Sequence, residues 1–272
     1  MSLPTIFAVV FAQMAALAAI MAGAWAIQQR TQNSGFVDAV WTFGLGLVGI
    51  VSALVPLSGT GTTTRQIVVA LIALVWALRL GTHIVRRSVE RADDPRYGAL
   101  IRQWGSHARR QMFIVLQKQA LVTLPLAIAI FVAAHNPAPF GRMQDWLGVL
   151  VILLGVLGEG LADRQLHAWL ASRKEEGRVC DRGLWRWSRH PNYFFEWVFW
   201  LAFPLFAIEL GGGYASGWLA LAAPVCMYWL LVYVSGVPPL EQHMVAKHGD
   251  AYRAYQARTS VFFPRPPAEG SA

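Results

Sequence analysis

Residues 198–237 read VFWLAFPLFAIELGGGYASGWLALAAPVCMYWLLVYVSGV, a stretch in which Glu209 is the single acidic or basic side chain. Residues 1–29 contain no such side chain. A run of about 20 mostly apolar residues is long enough to cross a bilayer as a helix. Backbone groups in lipid must pair within a helix or a closed barrel, and barrel strands alternate over only about ten residues. The sequence therefore predicts an all-α polytopic integral membrane protein.

The composition agrees with this class. The chain has 272 residues, of which 56% are hydrophobic and 14% charged, against about 25% charged in soluble proteins. We predict a single transmembrane domain over residues 1–272, with a cytoplasmic tail from residue 238. The seven predicted spans are residues 4–27, 36–57, 67–85, 113–134, 146–170, 193–210 and 218–237. The first lacks the basic start of a signal peptide, so we interpret it as a retained span.

Basic residues alternate between the two sides of this seven-helix bundle. Lysine and arginine concentrate after the third, fifth and seventh spans, and Arg30 follows the first. The other connections hold only Arg65 and Arg142. Positive loops stay cytoplasmic, which predicts an outer amino terminus and a cytoplasmic carboxyl terminus. The net charge of +8 then reflects topology and attraction to anionic lipid head groups. Nucleic-acid binding is not expected, because the basic loops are short and tied to the membrane.

Small residues in the second span form a run that resembles a nucleotide-binding glycine motif, with glycines at 44, 46 and 49. No strand precedes this run, so we predict close helix packing instead. The two cysteines, Cys180 and Cys226, occupy a cytoplasmic loop and a span. Their settings predict neither a disulfide nor a cysteine-based metal site.

The densest polar run is GLWRWSRHPNYFFE, residues 183–196. Pro191 suits the first turn of a helix, which places Asn192 and Glu196 one turn apart on one face. A helix amino end among basic residues is an anion site. An interfacial belt of tryptophan and arginine explains the first half of the run, but not His190, Asn192 and Glu196 together. The run therefore predicts a ligand site.

Two smaller clusters carry further polar groups. Arg96 and Tyr97 offer a cation and an aromatic hydroxyl, which suit a phosphate and a ring. Glu159 and Asp163 share one helix face near the end of the fifth span. Ionisable side chains in spans face a cavity or a partner. We predict that Asp163 bonds a ribose or an arginine, whereas Glu159 is equally explained by snorkelling to the interface.

The run at 183–196 resembles the signature of the steroid 5α-reductase superfamily. It is most similar to bacterial members once grouped as a family of unknown function with a steroid reductase-like carboxyl-terminal region. Further matching pieces, in order, are 76–80 (WALRL) with Arg87, 94–97 (DPRY), Ala162 and Asp163, Glu241, 247–249 (KHG), Tyr252, Tyr255 and 262–264 (FFP). The resemblance covers about residues 35–265 and is more specific in the carboxyl-terminal half.

The resemblance implies a reductase of the bacterial cell membrane that takes NADPH from the cytoplasm and a steroid-like or isoprenoid lipid enone from the bilayer. Carried over by position, Asn192 would bind the nicotinamide carboxamide, with Glu196 behind it. The other implied cofactor residues are His190 and Tyr193 in the same pocket, Asp163, Arg178, Arg189, Arg96 and Tyr97 at ribose and phosphates, and Glu241 and Tyr252 closing the site from the tail.

The amino-terminal half departs from the animal enzymes, whose Gln-Glu pair is absent here. Asp38 is the nearest carboxylate and the only acidic residue in the first two spans. In the reduction that the resemblance implies, a hydride is transferred to the β-carbon of an enone. A hydrogen-bond donor then stabilises the negative charge that develops on the ketone oxygen. A desolvated, protonated Asp38 is one candidate donor, and Tyr97 and His83 are the next candidates. Alternatively, Asp38 or a neighbour caps the second helix. The implied catalytic set is Asp38, Tyr97 and Glu196.

Two other functions fit parts of the sequence. Membrane methyltransferases of the isoprenylcysteine carboxyl methyltransferase type share an Arg-His-Pro-x-Tyr run, which they use for S-adenosylmethionine. They lack the long amino-terminal spans and the aromatic tail of this chain. A sterol-binding protein that has lost its chemistry is the third interpretation, and the intact polar set at 192–196 disfavours it.

Overall fold

The computed structural model describes residues 1–57, 63–89, 94–172 and 179–268, and every regular element in these ranges is helical. The α-helices are α1 Leu3–Thr31, α2 Val37–Leu54, α3 Thr64–Val89, α4 Pro95–Trp104, α5 Ala108–Ala134, α6 Met143–Ala171, α7 Pro191–Trp200, α8 Ala202–Ala207, α9 Ala222–Trp229, α10 Val237–His248 and α11 Asp250–Arg258. Three 3-10 helices span Gly105–His107, Gly183–Arg186 and Ala215–Leu221, and a π-helix spans Leu230–Val234.

Within the described ranges, six helical stretches are long and apolar enough to cross a membrane. They are Leu3–Thr31, Val37–Leu54, Thr64–Val89, Arg96–Ala134, Met143–Ala171 and Ala215–His248. The predicted sixth span, residues 193–210, is instead divided between α7 and α8. Pro204 explains the break, because it has no N–H to donate to the carbonyl four residues earlier. The seven-span count and the orientation of the termini stay predictions.

Local signals set several helix ends. Asp94 caps α4 by accepting a 2.9 Å hydrogen bond from the backbone N–H of Arg96. Pro191 begins α7, as its fixed φ predicts. Gly249 ends α10 with φ of 54°, a left-handed value that glycine adopts without strain.

The described helices group into two compact units. The first unit comprises Met1–Asp145 and Phe203–Ala223, and the second comprises Trp146–Ala202 and Pro224–Ala272. Two compact units can belong to one domain. The single domain predicted over residues 1–272 therefore stays a prediction.

Glycines of α2 bring neighbouring helices of the first unit into close contact. A Cβ atom built on Gly44 lies 2.7 Å from Ile20, and one on Gly49 lies 2.7 Å from Ile130. Gly46 meets Ala77 even more closely. A Cβ atom at these positions would force its neighbours to shift, which confirms that the glycine run serves packing.

A buried ion pair joins α3 to the start of α6 in the first unit. Arg65 in α3 and Asp145 in α6 expose 2% and 0% of their side chains. The guanidinium donates to both Asp145 oxygens at 2.7 and 3.0 Å, and its other N–H groups donate to backbone carbonyls. Those carbonyls belong to Ala138, Pro139 and Phe206. All five N–H donors of Arg65 are therefore used within the chain.

The carboxyl-terminal segment of the second unit lies along the polar run that precedes α7. The backbone N–H of Arg189 donates to Ser260 at 2.8 Å, and the Ser188 hydroxyl donates to the carbonyl of Phe262 at 2.9 Å. Phe262 is 1% exposed and contacts the ring of Trp197 edge-on. Hydrogen bonds and aromatic packing together hold the tail in place.

Candidate functional site

Glu241, on α10, is the centre of the polar cluster in the second unit. Its carboxylate accepts hydrogen bonds from Arg189 at 2.6 and 3.2 Å and from His190 at 3.1 Å. Gln256 donates to it at 2.7 Å, and the Tyr252 hydroxyl donates more weakly at 3.5 Å. The tail and the run at 183–196 thus share one acidic residue.

His190 is held neutral in this cluster. It is 1% exposed, and burial lowers the pKa of its imidazole, outweighing the opposite effect of Glu241. With Nε2–H assigned as the donor to Glu241, Nδ1 is left as an acceptor. Nδ1 is buried and has no hydrogen-bond partner among the described residues. The Tyr193 ring stacks on the imidazole, with centroids 5.4 Å apart. His190 can therefore offer an acceptor to a ligand that carries an N–H or O–H group.

Asn192 and Asp163 meet at the start of α7. The Asn192 amide donates to the Asp163 carboxylate at 3.4 Å, and its oxygen accepts from the Tyr193 N–H at 3.0 Å. One turn later Glu196 is 5% exposed and accepts from the Trp200 indole at 2.8 Å. Asn192 and Asp163 thus lie side by side, and the Glu196 carboxylate accepts a hydrogen bond from a residue of its own helix.

The Arg189 guanidinium donates its hydrogen bonds to other groups of the protein. Besides Glu241, it donates to the backbone carbonyls of Gln256 at 3.0 Å and Thr259 at 2.5 Å. Four of its five N–H groups are used in this way, which fits a positioning task better than phosphate binding. Gln256 is not among the site residues predicted from the sequence. Its spacing of four from Tyr252 on α11 is the signal that could have found it.

Asp38, Arg96 and Tyr97 form a second polar cluster, in the first unit. Asp38 forms an ion pair with Arg96 and accepts from the Tyr97 hydroxyl at 3.3 Å. Arg96 also binds Asp94 at 2.9 Å. Burial would raise the pKa of Asp94, but its bonds to Arg96 outweigh this and lower the pKa. Gln119, which is not among the site residues predicted from the sequence, donates to the Tyr97 oxygen at 2.7 Å.

The contacts of Asp38 bear on whether it caps helix α2. The cap residue of α2 is Phe36, whose side chain makes no capping hydrogen bond, and Asp38 is the second residue of the helix. Asp38 is therefore not the cap residue, and capping by its neighbours stays a prediction. The adjoining guanidinium stabilises a carboxylate, so Asp38 acts here as a hydrogen-bond acceptor. Arg96, shared by two carboxylates, is poorly suited to binding a phosphate. Arg178 lies outside the described residues.

Several apolar helices of membrane-crossing length, with polar clusters near their ends, define an integral membrane protein of the polytopic helical class. The chain belongs to the family of proteins of unknown function DUF1295, whose profile matches residues 24–259. It is similar to the uncharacterized protein C594.04c of Schizosaccharomyces pombe, with 25% identity over 265 residues that cover 89% of this chain and 75% of the relative. No solved structure matches the chain.

Proposed function

We propose that this protein is an NADPH-dependent membrane reductase of the steroid 5α-reductase superfamily, acting on the conjugated C=C bond of a steroid-like or isoprenoid lipid enone. One observation carries the proposal. Arg189 and His190 of the signature run lie 52 and 51 residues from Glu241 of the tail, yet all three form one hydrogen-bonded cluster. The two pieces of sequence that carry the resemblance thus belong to a single site.

The polar groups of the second unit suit a nicotinamide cofactor. A carboxamide needs a donor for its oxygen and acceptors for its N–H groups. Asn192 and the Nδ1 atom of His190 supply one of each, and the Asp163 carboxylate suits ribose hydroxyls. NADPH, when bound, supplies the hydride. The same groups would have no comparable task in a protein that only bound sterols.

A hydrogen-bond donor to the substrate ketone is the second part of this proposal. As the β-carbon is reduced, negative charge develops on the ketone oxygen, and a positioned donor lowers the barrier by about 3 kcal/mol. We propose the Tyr97 hydroxyl as this donor instead of Asp38, because Asp38 is paired with Arg96. The single Tyr97 proton is directed to Asp38 at 3.3 Å, so in this proposal it turns from Asp38 to the substrate ketone. Gln119 donates to the Tyr97 oxygen at 2.7 Å and orients it.

We further propose the seven-span topology, with the carboxyl terminus and the cofactor site on the cytoplasmic side of a bacterial cell membrane. The charge distribution of the connections supports this orientation. The 193–210 segment would cross as the pair α7 and α8.

A ligand-stabilisation experiment tests the proposed function. Purified protein in detergent is melted with NADPH, with S-adenosylmethionine or with neither, and NADPH oxidation is then followed with a 3-oxo-Δ4 steroid as surrogate substrate. We expect NADPH to raise the melting temperature and the steroid to be reduced. Stabilisation by S-adenosylmethionine alone would assign the methyltransferase function, and stabilisation by neither would leave a lipid-binding protein without chemistry.

A further inference from the structure

A shallow groove of about 290 Å³ runs between α1 and α5 on the surface of the first unit. Its lining residues are Met14, Phe113, Ile114, Gln117, Lys118 and Leu121. The Gln117 amide already donates to the carbonyl of Ala18 at 3.3 Å, which joins the two helices. Lys118 is therefore the polar group that the groove leaves for a ligand.

Lys118 occupies a costly position. It is exposed within an apolar, membrane-crossing stretch and forms no ion pair with any other described residue. It follows Arg109 by nine residues, which is about 13 Å along a helix. A cation at this depth in lipid is expensive unless it reaches the interface or meets an anion.

The end of the groove nearest Arg109 has the character of a membrane interface. The Arg109 guanidinium lies 5.4 Å from the Trp25 ring centroid, and the Trp25 indole donates to the Arg109 carbonyl at 3.1 Å. Trp25 also meets Phe113 edge-on at 5.4 Å. Tryptophan and arginine are enriched at head-group level. Arg110 precedes Lys118 by two helical turns and therefore lies on the same face of α5.

We propose that this groove binds an anionic glycerophospholipid. Lys118 and Arg110 receive its phosphate, and an acyl chain lies along Met14, Phe113 and Leu121. Charge complementarity selects this occupant, because a zwitterionic lipid brings no net charge to offset the cost of Lys118. The site is independent of the proposed reductase function.

Short-chain lipids test the site in the purified, full-length protein. The melting temperature is titrated with dioctanoyl phosphatidylglycerol, with dioctanoyl phosphatidylcholine and, at equal ionic strength, with inorganic phosphate. We expect a saturable rise with phosphatidylglycerol at lower concentration than with phosphatidylcholine, and no rise with phosphate. Lys118→Gln should raise the phosphatidylglycerol midpoint about fivefold, the factor expected for one basic residue at an anionic surface. Lys118→Arg should restore it.

Lys247→Gln, which removes an exposed cation of the tail helix α10, is the matched control and should leave the midpoint unchanged. The proposal fails if Lys118→Gln and the wild type respond equally to phosphatidylglycerol. It also fails if phosphatidylcholine or free phosphate gives the same Lys118-dependent shift. Lys118→Gln must melt like the wild type without lipid, and a lower value would assign Lys118 a structural task and overturn the proposal.

Discussion

Replacing Glu241 with alanine removes the acceptor shared by Arg189, His190, Tyr252 and Gln256. The Arg189 and Glu241 side chains are 11% and 15% exposed, so water only partly replaces the lost bonds. Breaking a fully buried ion pair costs about 3–5 kcal/mol. With this residual exposure we expect about 2–3 kcal/mol, which corresponds to a fall of about 5–10 °C in melting temperature for a chain of this size.

Thermal unfolding in detergent, followed by circular dichroism, measures this loss. Asp250→Asn is the matched control, because Asp250 is a fully exposed acidic residue of the same tail and should change stability by less than about 0.5 kcal/mol. Glu241→Gln keeps the volume and one acceptor oxygen, so its melting temperature should fall between the two. If Glu241→Ala has the same melting temperature as the Asp250→Asn control, the hydrogen bonds of Glu241 do not stabilise the tail and the prediction is wrong.

The remaining predictions concern ligand binding, turnover and pH. Tyr97→Phe should lower enone reduction about 100-fold, as expected for loss of one oxyanion donor, while NADPH still raises the melting temperature; unchanged turnover would move the donor elsewhere. Asn192→Ala should weaken NADPH binding without lowering the melting temperature of the free protein, and an unaltered titration would show that the signature is wrongly assigned. We expect NADPH to be preferred over NADH because arginine and lysine are frequent on the predicted cytoplasmic side, and equal affinities and rates for the two cofactors would contradict this. The lowered pKa of His190 means that the unfolded chain takes up a proton below about pH 6.5 that the folded chain excludes. Stability should therefore fall as pH drops below that value, and His190→Gln should lose less over the same interval; parallel losses in melting temperature would show that His190 is not the group responsible.

Local patterns were sufficient for the class of the protein and for several details. An apolar run of about 20 residues leaves a chain few choices in lipid, because the backbone has to satisfy its own hydrogen bonds. The start of α7 at Pro191 and the packing of glycines in α2 follow from equally short-range causes. Proline fixes its φ, and a missing Cβ lets helices approach, wherever the rest of the chain lies.

Ion pairs between residues far apart in the chain could not be predicted from the sequence. Arg65 was counted as a charge in a connection, yet it is a buried partner of Asp145, 80 residues away. Asp38 was considered as a protonated donor, but Arg96, 58 residues further along, makes it an acceptor. The mostly apolar composition of 193–210 predicted one span, while Pro204 divides the helix there.

The sequence by itself determined which segments are apolar enough to cross a membrane and which short runs carry polar side chains, because both depend on spacing within a few helical turns. Tertiary structure decided what each polar group does. A carboxylate such as Asp38 or Glu241 can donate, accept, cap or pair, and its protonation and its bonds depend on the groups that distant helices bring beside it. No local spacing encodes which helices those are.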